Sequence, residues 1–350
     1  MDFALSDEHR LLADSAQQFL TQKYPLDGVP SIVDDEPGWD PSAWSQIADL
    51  GWLDDELTLL DHALLVEEAG AVLLAAPLYS TLALTWAART PRSQSTAESG
   101  PLASTLAWAE TGLPYAITGT DGYHTSLDPA GRVTGRKVLV PDADKVDELV
   151  VVAVGSAGPV LCQVRASDTI VRRRATSDRS RSMAEVEFRD VPSTTLVEPE
   201  GVVRALTQTQ HRASVLAAAE SLGVGRAALK LGVNHARERV QFGKPIGTYQ
   251  AVSHRLADSY VSLELARSLT YWAAGCVESD DPSAGAACAA AKTAAATAAV
   301  EACESAIQVS GGTGITWEHI LHRLYKRAQW LESFEAGSGE LHARIAHHIL

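Results

Sequence analysis

The chain has 350 residues, a formal net charge of −15, 46% apolar residues and four cysteines. That length leaves room for a large core divided over two or three domains, and no apolar run reaches the roughly 18 residues of a membrane span. The acidic balance excludes a nucleic-acid binder, because phosphate backbones are gripped by clustered Lys and Arg; it leaves room for one local basic site for a phosphorylated ligand.

Met1 to Glu8 is acidic and lacks the basic and apolar regions of a secretion leader, which predicts a cytoplasmic protein. Up to about residue 103 the pattern is helical. Ser6 is the expected cap of a first helix, with an apolar stripe through Leu12, Ala16, Phe19 and Leu20. Asp40-Pro41 sets a capping side chain before a proline at the first helical position and starts a second helix through Trp44 and Ile47. A third helix is expected from Leu59 to Leu74 and a fourth from Ser80 to Ala88, with Thr90 to Gly100 looping out.

The apolar period then shortens to two. Strands are expected from Leu102 to Glu110, Tyr115 to Gly119, Val133 to Val140, Glu148 to Val154, Val160 to Val164, Thr169 to Arg172 and Ala184 to Phe188, with turn-rich links. Glu148 to Val154 is apolar enough to be buried on both faces. Arg172, Arg173 and Arg174 are expected in a β-loop facing water. From Val202 helices return: Val202 to Arg239, Tyr249 to Val277, an Ala-rich helix from Ala284 to Ser310 after Asp281-Pro282, one from near Trp317, and a last from Ser338 to Leu350. Long helices with short links predict an antiparallel four-helix bundle. The fold class is therefore mixed and mainly α: an N-terminal helical domain (1–103), a central antiparallel β domain (104–200) and a C-terminal four-helix bundle (201–350).

The stretch from Arg237 to Gln250 joins two of those helices. It holds a cation, Arg239, an amide, Gln241, and two turns, Phe242-Gly243 and Pro245-Ile246-Gly247. Arg offers a rigid fork of donors for an anionic group, although a bend rich in Gly and Pro needs no ligand to explain it. Cys162, Cys276, Cys288 and Cys303 form no CxxC pair and fit no metal spacing; they read as reduced, small apolar residues. The histidines His342, His347 and His348 read as helix-end cations rather than metal ligands.

The order of helical, β and bundle segments, together with Arg-Glu-Arg-Val-Gln-Phe-Gly-Lys-Pro-Ile from Arg237 and Gln-Val-Ser-Gly-Gly-Thr-Gly from Gln308, resembles the acyl-CoA dehydrogenase family over nearly the whole chain. The resemblance implies FAD as cofactor, an acyl-CoA thioester as substrate and an electron-transfer acceptor. It implies that Arg239 and Gln241 hold the FAD pyrophosphate, that Phe242 packs by the ADP portion, and that Gln308, Gly311, Gly312 and Gly314 form the turn holding the cofactor of a neighbouring subunit. Glycines there let a backbone approach phosphate closely. It implies a catalytic carboxylate after the Gly-rich turn; counted from Gln308, that position is Glu335, with Glu332 and Glu340 nearby. Such a base needs a dry site that raises its pKa. The family's second location for a base matches Ala213, which cannot serve.

Departures from the family pattern accompany the likeness. The strand that usually reads Thr-Glu-Pro-x-x-Gly-Ser-Asp reads Ala109-Glu110-Thr111 here, without Gly-Ser-Asp. Leu139 and Pro141 stand where an aromatic residue and a hydroxyl usually meet the flavin, and the loop between Trp52 and Leu59 is short. These losses resemble the shorter subunits of actinobacterial heterotetrameric acyl-CoA dehydrogenases. The resemblance then implies an α2β2 enzyme of two unlike chains. Two alternatives stay open: a non-catalytic partner that completes another chain's FAD site, and a flavin oxidase or monooxygenase on the same scaffold. The basic run His322-Arg323 and Lys326-Arg327 is either a phosphate-facing or a solvated or salt-bridged helix face, and Trp317 and Tyr249 either frame an adenine or pack internally.

Overall fold

The structure is a computed structural model that describes residues 5–35, 38–85, 88, 102–113, 115–117 and 122–350. The expected loop from Thr90 to Gly100 and the end of the expected strand at 118–119 lie outside the described residues. Among the described residues no helix is long and apolar enough to cross a membrane. The chain gathers into two compact units: one comprises Met1–Glu36, Asp55–Leu74 and Ser214–Leu350, the other Pro37–Asp54 and Ala75–Ala213.

The first helices start where local chemistry dictates. In α1 (Asp7–Lys23) the Ser6 hydroxyl accepts from the His9 amide while the His9 ring accepts from the Ser6 amide, satisfying two orphan donors at once. In α3 (Pro41–Asp49) the Asp40 carboxylate accepts from the Ser42 amide, with proline at the first position. Thr58 and Asp61 form the same reciprocal cap on α4 (Leu59–Ala71). The expected fourth helix takes the form of a short, wide helix over Ser80–Leu84, and residues 86–87 of its expected range lie outside the described residues. Its hydroxyls are drawn to tertiary partners: Ser80 donates to Asp142 (2.6 Å) and Thr81 to the Ser104 carbonyl (3.1 Å). The sequence also gave no sign of the short α2 (Val29–Val33).

The sheet of the second unit has the order β6-β7-β3-β2-β4-β5-β8, with β1 also on β4. These strands are β1 (Ser104–Ala107), β2 (Ser126–Leu127), β3 (Arg132–Pro141), β4 (Glu148–Gly155), β5 (Gly158–Arg165), β6 (Ile170–Arg174), β7 (Met183–Pro192) and β8 (Thr194–Val197). β1 and β2 pair parallel with β4 and the other ladders are antiparallel, so the sheet is mixed. Side-chain periodicity reports which face is buried but not strand direction, which is why the parallel pairs were not visible beforehand. Leu149 to Ala153 of β4 are all buried. Arg172 to Arg174 lie on the edge strand β6, not in a loop; Arg172 pairs with Glu187 (2.9 Å) and Arg174 with Glu185. Charged side chains of this kind blunt an edge against unwanted pairing.

The first unit is built on α5 (Pro199–Glu238), α6 (Gln250–Glu278), α7 (Ala284–Ser310), α8 (Leu321–Ser333) and α9 (Ser338–Ile349). Residues Ser214 onward of α5 belong to it. Glycine sets the closeness of two helix crossings. A Cβ on Gly223 would lie 1.9 Å from the Glu67 carbonyl oxygen of α4, so these backbones touch. Cβ atoms on Gly225 and Gly232 would lie 3.1 Å from Cα of Ala299 and of Ala306 respectively. The two contacts are one heptad apart on both helices. α5 and α7 therefore run parallel along a glycine–alanine seam, which puts their C-terminal ends at the same end of the unit.

Candidate cofactor site

That seam gathers the cofactor motifs at one end of the bundle. α5 ends at Glu238 and leads into a hairpin of β9 (Val240–Gln241) and β10 (Lys244–Pro245). The two linking residues, Phe242 and Gly243, have φ of 52° and 81°, the backbone twist that tight hairpins prefer. Glycine takes this conformation freely; phenylalanine does not. Phe242 is 93% exposed at the tip, and its ring meets that of Tyr249 edge-on. The hairpin is held at its base by the Ile246 amide donating to the Arg239 carbonyl (2.8 Å) and by Gly247, whose Cβ would lie 3.0 Å from the Ala236 carbonyl. The Gln241 side-chain amide donates to the Val240 carbonyl (2.8 Å).

At the same end, α7 stops at Ser310 and a tight turn, Gly311–Ile315, follows. Each glycine there has its own reason. Gly311 has φ 63° and ψ −142°, a conformation essentially reserved for glycine. A Cβ on Gly314 would lie 2.8 Å from the Ile307 carbonyl. Gly312 meets nothing within 4 Å, so no atom of the chain requires a glycine at that point. An open backbone beside an exposed guanidinium, amide and aromatic ring fits the diphosphate and nucleoside end of FAD. Arg239, Gln241 and Gln308 are all exposed and Ile315 and Trp317 add 71% and 55% exposed apolar surface.

The basic run on α8 has other work. Arg323 grips Asp34 with two nitrogens (3.1 and 2.6 Å), and Arg327, fully buried, pairs with Glu220 of α5. Neither guanidinium faces an external phosphate. Trp317, in the turn before α8, stacks on His322 (4.6 Å between centroids) and lies under Lys326, while the residue stays 55% exposed.

Glu335 is buried between two cations. It is 3% exposed with φ 69°. Its carboxylate lies 3.6 Å from the Lys292 ammonium and 3.2 Å from the Arg344 guanidinium, which also binds Glu340 (2.6 Å). Lys292, buried in the middle of α7, also donates to the carbonyls of Phe334 and Ala336 (the latter 3.1 Å). Burial pushes the Lys292 pKa down, against the opposing pull of Glu335. Both cations thus face the one carboxylate. The site is dry, as expected, and Glu335 is not a solvated acid. Sequence spacing located the residue and gave no sign of its cations, which come from α7 and α9. At Ala213, the second family location, the methyl is buried and the carbonyl accepts from the Tyr79 hydroxyl (3.1 Å).

In the sheet unit, Glu110 and Lys137 form a buried pair (2.7 Å). Burial alone would raise the Glu110 pKa, but Lys137 and the His124 and Thr125 groups outweigh it and bring it down to about 2. Burial lowers Lys137 to about 8, with Glu110 opposing. Leu139, 45% exposed with φ 52°, sits in the irregularity of β3 between Lys137 and Val140. Its carbonyl accepts from the Tyr115 hydroxyl (3.2 Å), whose ring stacks on Trp108 (5.1 Å).

Comparison with known proteins agrees with this geometry. Residues 200–350 match the family model described as "Acyl-CoA dehydrogenase, C-terminal domain". The chain is 30% identical to acyl-CoA dehydrogenase IpdE2 of Mycobacterium tuberculosis, over 93% of this chain and 94% of that one. This chain belongs to the acyl-CoA dehydrogenase family. Members of that family are FAD-binding flavoproteins. The chain superposes with a TM-score of 0.83 on a variant of the Tcur3481-Tcur3483 steroid ACAD, at 27% identity and covering 98% of each chain. It also matches the fold of the ChsE4-ChsE5 complex from Mycobacterium tuberculosis, with a TM-score of 0.85, 24% identity and coverage of 100% and 99%.

Proposed function

We propose that this acyl-CoA dehydrogenase acts as one of two unlike chains of a hetero-oligomer that dehydrogenates the CoA thioester of a bulky, steroid-type acyl group and passes electrons to a separate acceptor. The single observation that carries the reading is the convergence of the hairpin and the Gly-rich turn at one bundle end, where the parallel α5 and α7 both finish. There Arg239 and Gln241 donate to the FAD diphosphate and Phe242 covers the nucleoside end; the turn of Gln308, Gly311 and Gly312, expected from the resemblance to act across a subunit boundary, is in this reading on the same chain and supports the same group, and Gly314 lets the turn close on Ile307. When bound, FAD supplies a two-electron acceptor for the hydride leaving the β-carbon of the thioester.

The choice of a two-chain enzyme rests on the likeness to the Tcur3481-Tcur3483 and ChsE4-ChsE5 assemblies and on three features of this chain. Glu335 is paired with Lys292 and Arg344, Ala213 offers no carboxylate, and Leu139 and Pro141 replace the usual flavin contacts. In this reading the α-proton is taken by a carboxylate of the second chain, and the present chain contributes cofactor-holding surface. The absorption spectrum of the purified chain is the first test. A colourless chain that becomes a flavoprotein on co-expression with a second acyl-CoA dehydrogenase chain is expected. A self-sufficient, flavin-filled and active homo-oligomer overturns the two-chain reading. In the assembled enzyme, Glu335→Gln is expected to leave the pH-independent turnover within about a few-fold of wild type, where loss of a general base costs on the order of 100-fold or more.

A further inference from the structure

Tyr249 follows the hairpin and precedes α6, where its extended backbone (φ −85°, ψ 131°) forms the helix cap. Its hydroxyl reaches back across eight residues to donate to the Gln241 carbonyl (3.2 Å). Its ring meets Phe242 edge-on, with centroids 6.5 Å apart at 87°, and carries the Lys244 ammonium over its face at 4.3 Å. One side chain thus touches both strands of the hairpin and its tip. Beyond the base, which the Ile246–Arg239 bond and Gly247 hold, the hairpin is short and open: each strand has two residues, and Val240 and Phe242 are 52% and 93% exposed. An isolated ribbon this short is unstable in water.

We infer that Tyr249 is a positioning residue: it holds the 239–245 hairpin in the form that presents Arg239 and Gln241 to the cofactor diphosphate. This rests on the FAD-binding reading above. The hydroxyl acts on the Gln241 backbone, so the Gln241 side chain leaves from a fixed point. The ring sets Phe242 and Lys244, and through the α6 cap the hairpin is tied to the bundle. Pre-organisation of this kind removes the ordering cost that a loose loop pays on binding.

Tyr249→Phe keeps the ring and removes only the hydroxyl, while Tyr249→Leu removes both. Two readouts apply to the full-length chain. In hydrogen exchange without cofactor, the 239–246 segment of Tyr249→Phe is expected to exchange about three- to tenfold faster, and that of Tyr249→Leu faster still, corresponding to the loss of one hydrogen bond and then of the ring contacts. Exchange elsewhere and the melting temperature are expected to stay unchanged. In FAD titration of the assembly that binds it, Tyr249→Phe is expected to weaken affinity by about the same factor, leaving KM for acyl-CoA unaltered. Hairpin exchange equal to wild type overturns the inference whatever the affinity. Faster exchange with unchanged FAD affinity overturns it as well, since the hairpin is then ordered without mattering to the cofactor. If the wild-type chain binds no FAD in any assembly, the FAD-binding reading itself falls, and the two failures are told apart by the wild-type titration.

Discussion

Lys292→Met tests whether Glu335 is a structural ion held by its neighbours. The ammonium lies 3.6 Å from the carboxylate, which at an effective dielectric of about 20 corresponds to about 5 kcal/mol of attraction. In the intact protein, desolvation of both groups consumes most of that gain. Removing Lys292 leaves the buried carboxylate with Arg344 as its one remaining cation and frees two carbonyls, of Phe334 and Ala336, that Lys292 had satisfied. Breaking a buried pair on one side costs about 3–5 kcal/mol. Methionine suits the middle of a helix and matches lysine in length, so the loss comes from the polar contacts. A unit of this size loses about 2–4 °C per kcal/mol, so a fall of roughly 10 °C is expected in the transition of the bundle unit. Urea unfolding followed by far-ultraviolet circular dichroism gives the free energies of Lys292→Met, Glu335→Gln and the double variant. The double variant leaves no unpaired buried charge, and a coupling of about 2 kcal/mol is expected between the two sites. Additive single effects, or a Lys292→Met loss under about 1 kcal/mol, would refute the assignment.

Three further outcomes are expected. Gly223→Ala places a methyl carbon 1.9 Å from the Glu67 carbonyl and 2.8 Å from the Ala71 nitrogen; both are backbone atoms, so the α4–α5 crossing must open at a cost of about 3 kcal/mol or more, and a melting temperature equal to wild type would show that these helices do not touch as described. Arg239→Ala removes an exposed guanidinium without disturbing the fold and is expected to weaken FAD binding about 10- to 100-fold, by the loss of a charged hydrogen bond of about 1.5–3 kcal/mol; fluorescence titration of the apoprotein measures it. Glu110→Gln probes the sheet unit. With its pKa lowered to about 2, Glu110 contributes stability that is present above its unfolded value and lost as pH falls from about 4.5 to 2, amounting to about 3 kcal/mol at neutral pH. The difference between wild type and variant, followed by thermal unfolding across pH, is therefore expected to fade in that window; a constant difference would contradict the pairing with Lys137.

The resemblance reached the family and its cofactor because it rests on features a chain carries locally. Arg239, Gln241 and Phe242 lie within four residues, and Gln308 to Gly314 within seven, so each motif is complete in one stretch. The caps at Ser6 and Asp40 were legible for the same reason. The extent of α7, Ala284–Ser310, matched because small residues followed a clear turn at Asp281, whose carboxylate accepts from the Ser283 amide (2.7 Å).

What the sequence by itself determined was therefore the identity of the local motifs, the class of each long segment and the place of the turns, since these depend on residues close along the chain. Tertiary structure alone decided what long-range neighbours do to them. The Gly225–Ala299 and Gly232–Ala306 contacts bring two motifs that stand some seventy residues apart to one bundle end. Lys292 and Arg344 approach Glu335 from separate helices and turn an acid at a family position into a paired ion. Arg323 and Arg327, a plausible phosphate face on one helix, are instead spent on Asp34 and Glu220. A charge's role is set by what lies within a few ångströms of it, and those neighbours are chosen by the packing of elements that no window of sequence contains.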